Sequence, residues 1–337
     1  MKMTSLVALT TASVFTLSAA ANAQEPQQPV DAQRPVAPPA ATDETLPHDQ
    51  PASPAAASAP PAAPAPVPPA QPAPPVDPIR TGWLNNPDAN YQATLHAELG
   101  LLWPVSHTIQ FGREGSAIDY VAEGGQDNLF PFMRMSAEVE LFKRHEVALL
   151  YQPLQLVTTQ TAREELRVFD TRYAAGTPMR FTYGFDFWRL SYLYDFNDSP
   201  ETEIALGASL QIRNASIITE AVDGSQANYT RNIGPVPVLK GRFRTDLGSS
   251  FWVGAEADGF YAPIRYLNGG SVDVEGAILD ASLRGGLHLA TGVDTFLNLR
   301  YLAGGARGAN SNSKEPGDGY TENWLHFVSL TLGFTLR

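Results

Sequence analysis

The feature that most constrains this chain is a two-residue alternation of apolar and polar side chains that recurs from residue 91 to the end at residue 337. Successive strand side chains point to opposite faces, so such a run is a strand with one apolar and one polar face. Tyr91 to Leu102 sets Ala93, Leu95, Ala97, Leu99 and Leu101 against Thr94, His96, Glu98 and Gly100, and Phe132 to Phe142 repeats the pattern. Further runs follow at Val147 to Thr158, Arg180 to Phe196, Glu203 to about Thr219, Leu239 to Leu247, Phe251 to Asp258, Leu279 to Leu289, Leu297 to Tyr301 and Val328 to Leu336. In the run from Arg180 to Phe196 the phase changes around Phe187 to Arg189, which predicts a bulge. No long stretch carries the i, i+3, i+4 spacing of an amphipathic helix.

The connections alternate in length. Short turns are expected at Lys143 to Glu146, Asn197 to Pro200, Gly248 to Ser250 and Thr291 to Asp294. Long polar connections are expected at Pro104 to Pro131, Thr159 to Met179, Glu220 to Pro235, Pro263 to Ser271 and Gly304 to Asn323. That asymmetry belongs to an up-and-down barrel with tight turns at one rim and free loops at the other. The expected fold is all-β, a closed antiparallel transmembrane barrel of about ten strands with both termini at the short-turn rim. In lipid an open sheet edge is excluded, so the last strand must pair with the first. Trp103, Phe132, Phe142, Tyr194, Phe196, Phe251, Tyr261, Tyr266 and Trp324 fall near strand ends, where amphipathic rings suit the membrane interfaces.

The barrel is expected to span residues 81–337. Ahead of it, Lys2, an apolar run from Leu6 to Leu17 and Ala21-x-Ala23 read as a secretory signal peptide over residues 1–23. Residues 24–80 hold most of the chain's 28 prolines and none of its 27 glycines, so this Pro/Ala-rich stretch is expected to be disordered. It reads either as a periplasmic tether reaching toward peptidoglycan or as a solubilising tail. The chain has no cysteine, which removes disulfides and thiolate metal sites. A net charge of -12 argues against a nucleic-acid partner.

The polar faces collect charges of both signs: Arg134, Glu138, Glu140, Arg213, Lys240, Arg242, Arg244, Asp246, Glu256, Asp258, Asp280, Arg284, His288 and Arg300. These are the candidate lumen-lining residues. Two readings are open: a salt-bridge network that fills the lumen, or a narrow passive channel in which Lys240, Arg242 and Arg244 face Glu256 and Asp258.

With the signal peptide, the strand-and-turn alternation and the last strand Val328 to Arg337, the chain resembles bacterial outer-membrane β-barrel proteins. The resemblance covers residues 81–337 and names no subfamily. It implies insertion in a Gram-negative outer membrane with periplasmic termini, contact with outer-membrane lipid, and delivery by the barrel assembly machinery. The aromatic that usually ends such chains is here Phe334, with Arg337 last.

Some barrels of this kind are enzymes acting on lipid A or protein. That chemistry needs a base within hydrogen-bond reach of a nucleophile. His326 and Ser329 have opposite strand parity, Ser282 lies six positions from His288, and His96 beside Glu98 suits a structural role. The expectation is no catalytic residue, no cofactor and no metal, and a structural or surface-interaction role.

Overall fold

The computed structural model describes residues 84–85, 89–263, 273–309 and 318–337. The expected signal peptide, the Pro/Ala-rich segment and Tyr266 lie outside the described residues. Among those described, the strands are β1 (Tyr91–Phe111), β2 (Ala117–Asp119), β3 (Phe130–Leu141), β4 (His145–Gln152), β5 (Gln155–Thr161), β6 (Leu166–Val168), β7 (Thr171–Tyr173), β8 (Pro178–Asp195), β9 (Thr202–Ala221), β10 (Ala227–Leu247), β11 (Phe251–Pro263), β12 (Asp273–Ala290), β13 (Val293–Ala309) and β14 (Tyr320–Leu336).

All pairings are antiparallel, and β14 pairs with β1 from Leu95↔Leu336 to Phe111↔Thr321, so the sheet closes. β4 and β5 occupy one strand position beside β8, and β2 folds back on the end of β1, which leaves a ten-stranded closed barrel. Along each strand one side-chain set faces out and is apolar: Leu95, Leu99, Leu101, Leu206, Leu210, Leu283, Leu297, Leu299, Leu330 and Leu332 are all exposed. The other set, with the charges, is enclosed. This inversion of the usual protein suits a wall bathed in hydrocarbon.

Three expectations change. β8 carries no bulge: its pairing with β9 runs unbroken from Met179↔Ala221 to Asp195↔Ala205. Phe181, Tyr183, Phe187 and Arg189 all point inward, so what changes at residue 188 is the character of the lumen, not the phase of the strand. Register shifts fall instead in β12, between His288 and Ala290, and in β1, between Pro104 and Ser106, where a proline without an N–H is accommodated and the strand continues seven residues past it to Phe111. The connection expected over Glu220 to Pro235 is a tight turn between Ala221 and Ala227, because β10 runs on through Pro235 and Pro237 where β11 no longer pairs with it. Phe132 is also turned inward, against Phe327 at 5.9 Å, rather than out at the interface. Phe142, Phe196, Phe251 and Tyr261 are exposed near the strand ends, whereas Trp103, though exposed, lies in the middle of β1 because that strand runs on to Phe111.

Closure depends on glycine where neighbouring backbones meet. At Gly100, on the inner face of β1 opposite Thr331, an added Cβ would run into the Leu330 carbonyl oxygen and the Thr331 Cα. Gly100→Val is expected to abolish the folded barrel, read as loss of the heat-modifiable band on a gel, whereas Gly285→Ala, with open space around it, keeps that band.

Candidate functional site: the filled lumen

The lumen has two parts. Toward the short-turn rim it holds charges; toward the long-loop rim it holds an apolar core. The charged part is built around carboxylates that several guanidinium groups share. Asp280 of β12 accepts from Arg134 of β3 at 3.0 Å, from Arg189 of β8 at 3.1 Å, and from Arg300 of β13. Arg189 also reaches Asp258 of β11 at 3.0 Å. Asp258 and Asp280 are directly opposed in register, an unfavourable like-charge pair that the Arg189 guanidinium bridges.

The adjacent layer centres on Glu256 and Arg242. Lys240 lies 2.8 Å from Glu256 and 3.2 Å from Asp258, and Arg242 lies 3.3 Å from Glu256. Arg242 then spans the lumen to Glu138 at 3.1 Å, Glu146 at 2.6 Å and Glu203 at 3.5 Å. Arg284 sits 3.6 Å from Glu98 and 3.8 Å from Glu256, while Glu98 accepts from Asn298 at 2.7 Å and Thr331 at 2.8 Å. At the short-turn mouth Asp294 gathers Arg244 (3.1 Å), His288 (2.8 Å) and Arg337 (2.6 Å). Asp246 faces His288 at 3.3 Å, and the Arg244 guanidinium stacks 3.9 Å above the Trp252 ring.

Of the residues named from sequence, Arg134, Glu138, Lys240, Arg242, Arg244, Asp246, Glu256, Asp258, Asp280, Arg284, His288 and Arg300 belong to this lattice. Glu140 faces inward beside it, opposite Glu146. Arg213 stands apart, higher on β9, and donates to Asn232 at 3.2 Å. The ladder is not a single rail: Lys240 and Arg242 meet Glu256, but Arg244 turns to Asp294. Arg189, Glu146, Glu203, Asp294 and Arg337 are members that the sequence reading did not select. Arg189 was hidden by the presumed bulge, and its inward parity is the signal that would have found it. Of the histidines weighed for catalysis, His96 lies between Thr335 (2.9 Å) and Glu138 (3.4 Å). His326 bonds Tyr301 at 2.7 Å on the outer wall, away from buried Ser329.

Above the lattice, Phe132, Leu150, Leu154, Phe181, Phe187, Ile217 and Phe327 form the apolar core, joined by Ile118 and Tyr120 from the first long connection and Leu166, Val168 and Phe169 from the second. The two connections are stitched together: the Ser116 N–H donates to the Arg167 carbonyl at 2.8 Å and the Phe169 N–H to that of Phe111 at 3.2 Å. Tyr120 meets the Thr219 hydroxyl at 3.1 Å, and burial pushes its own hydroxyl well above the usual phenol range. Tyr173 donates to the Thr219 carbonyl at 2.9 Å. These long connections form a lid that descends into the barrel.

Breaking a shared buried pair leaves several uncompensated charges. Asp280→Ala is expected to destabilise the folded barrel by about 3–5 kcal/mol, measured by urea unfolding. Arg172→Ala, which breaks only the exposed pair with Glu165, is expected to cost about 1 kcal/mol or less in the same assay.

No protein-family model matches the chain, and no curated protein matches it. Among solved structures it is similar to the outer membrane protease OmpT from Escherichia coli, with 10% identity, 72% of this chain and 96% of that chain covered, and a TM-score of 0.41. It is also similar to the P. putida toluene transporter TodX, with 9% identity, 75% and 91% coverage, and a TM-score of 0.28. Neither likeness assigns a ligand, a reaction or a residue role. By its own geometry, a closed antiparallel wall with an apolar exterior and a charged interior, the chain is a β-barrel of the outer-membrane type.

Proposed function

We propose that the protein is a non-conducting, non-catalytic barrel of the Gram-negative outer membrane, with a structural or surface-interaction role. The observation that carries this reading is the filling of the lumen: cross-lumen ion pairs at the short-turn half, which leave small cavities of about 70 and 20 Å³ among them, then an apolar core, then interlocked loops. A conducting pore needs a hydrated path along its axis, and charges in it must stay free enough to exchange with permeating ions. Here the two signs satisfy each other across the barrel. In this reading the short-turn rim faces the periplasm. Both ends of the barrel chain lie there, since the Leu84 N–H donates to the Arg337 carbonyl oxygen at 2.9 Å. The long-loop rim then faces outward and offers Arg163, Glu164 and Glu165 to the medium.

Planar-bilayer recording of the processed chain tests this. A silent bilayer is expected, with insertion verified by protease protection of the barrel. Discrete conductance steps whose ion selectivity shifts in Arg242→Ala would overturn the filled-lumen reading in favour of a narrow channel.

A further inference from the structure

Among the described residues the wall is interrupted between β10 and β11 beyond Leu239↔Gly259, and again between β3 and the β4–β5 position. β3 pairs with β4 only from Leu141↔His145 to Met135↔Tyr151. Beyond Met135, β3 continues to Phe130 paired, among the described residues, with β1 alone, while β5 pairs there with β8 alone. Between them lies a window, bounded at the short-turn side by the Met135–Tyr151 pair. At the other side the Thr158 hydroxyl donates to the Gly124 carbonyl oxygen. The window opens as a groove of about 530 Å³ whose lining includes Leu99, Met133, Tyr151, Pro153, Leu154 and Gly184.

Three observations say what the groove suits. It lies on the outer face, among Leu99, Leu101, Met135, Trp188 and Leu190, which are exposed as parts of the apolar belt. Its floor is apolar and continuous with the core through Phe132 and Leu154, each 3% exposed. Finally, its polar backbone is pared down: Pro131 and Pro153, one on each lip, have no N–H, and the Leu154 N–H is taken by the Asp186 carboxylate at 2.9 Å. Gln155, Asp186 and Ser216 also line the groove, so it is apolar at its floor and polar toward β5, β8 and β9, with a lip backbone that presents fewer donors than an open strand edge. From Leu141 to Met133 along β3 is roughly 20 Å normal to the membrane, at about 3.3 Å per residue and a tilt near 40°. In a belt about 25 Å tall that places the groove toward the long-loop edge.

We propose that this window is a binding site for one acyl chain of a lipid in the leaflet at the long-loop rim, seated between β3 and β5 with its end against Phe132 and Leu154. The proposal rests on the barrel lying in a bilayer. The processed chain is folded into dimyristoylphosphatidylcholine vesicles doped with a phosphatidylcholine that carries a diazirine on one acyl chain, photolysed, and its adducts mapped by mass spectrometry. Adducts on Met133, Pro153 and Leu154 are expected several-fold above those on Leu210 and Leu297, which are ordinary belt residues. Gly184→Leu and Ser216→Leu, which fill the groove from its far wall, are expected to bring the window residues down to the belt level with the heat-modifiable band and the Leu210 and Leu297 adducts unchanged. Equal yields at the window and the belt in the parent chain, or window adducts undiminished in both variants, overturn the site. Absence of adducts at Leu210 and Leu297 as well overturns the bilayer placement, and the site with it.

Discussion

Everything in this molecule depends on the antiparallel ladder between β14 and β1. A sheet that closes on itself has no edge to protect, and it divides the side chains of every strand into an outer set and an enclosed set. The outer set then has to match hydrocarbon, which accounts for the rows of exposed leucine. The enclosed set has to fill a narrow cylinder without leaving uncompensated charge. Since about ten strands give a bore only slightly wider than side chains can fill, long residues from opposite walls meet on the axis.

The lattice shows how that filling works electrically. Neighbouring strands place Asp258 beside Asp280 and Glu140 beside Glu146, arrangements that repel. Arg189, Arg134 and Arg242 reach over from distant strands and hold such carboxylates from above. Taking these ions out of water costs several kcal/mol each, and only multiple partners with good geometry repay it. Arginine suits the task because its planar fork makes several bonds at once. The same interactions tie opposite walls together, so the lattice is a set of struts as well as a filling. Toward the long-loop rim the struts give way to aromatics and to side chains lowered from the loops, where burial of apolar area takes over from ion pairing.

The strand count, the outer wall and most of the enclosed charges were legible in the sequence, because period two is a local property. What was not legible is non-local. Phe181, Tyr183, Phe185 and Phe187 on β8 read as a change of phase, since a lumen face was assumed to be polar throughout; the apolar core is contributed by strands that meet only after closure. The stretch up to Pro235 read as loop because nothing in sequence says that β10 runs on as a strand where β11 stops pairing with it at Leu239. Which acid each arginine meets depends on the stagger of the strands around the barrel, so the contact between Arg189 and Asp280, 91 positions apart, has no signature in one dimension.

A filled lumen also changes what the wall can tolerate. In a barrel with a water-filled bore, a gap between strands at membrane level would join water to lipid and expose the free backbone of both lips. Here the inner side of the gap between β3 and β5 is Phe132 and Leu154, not water, and the lips have lost donors to Pro131, Pro153 and the Asp186 carboxylate. The interruption therefore opens the apolar core to the bilayer without opening a route along the axis.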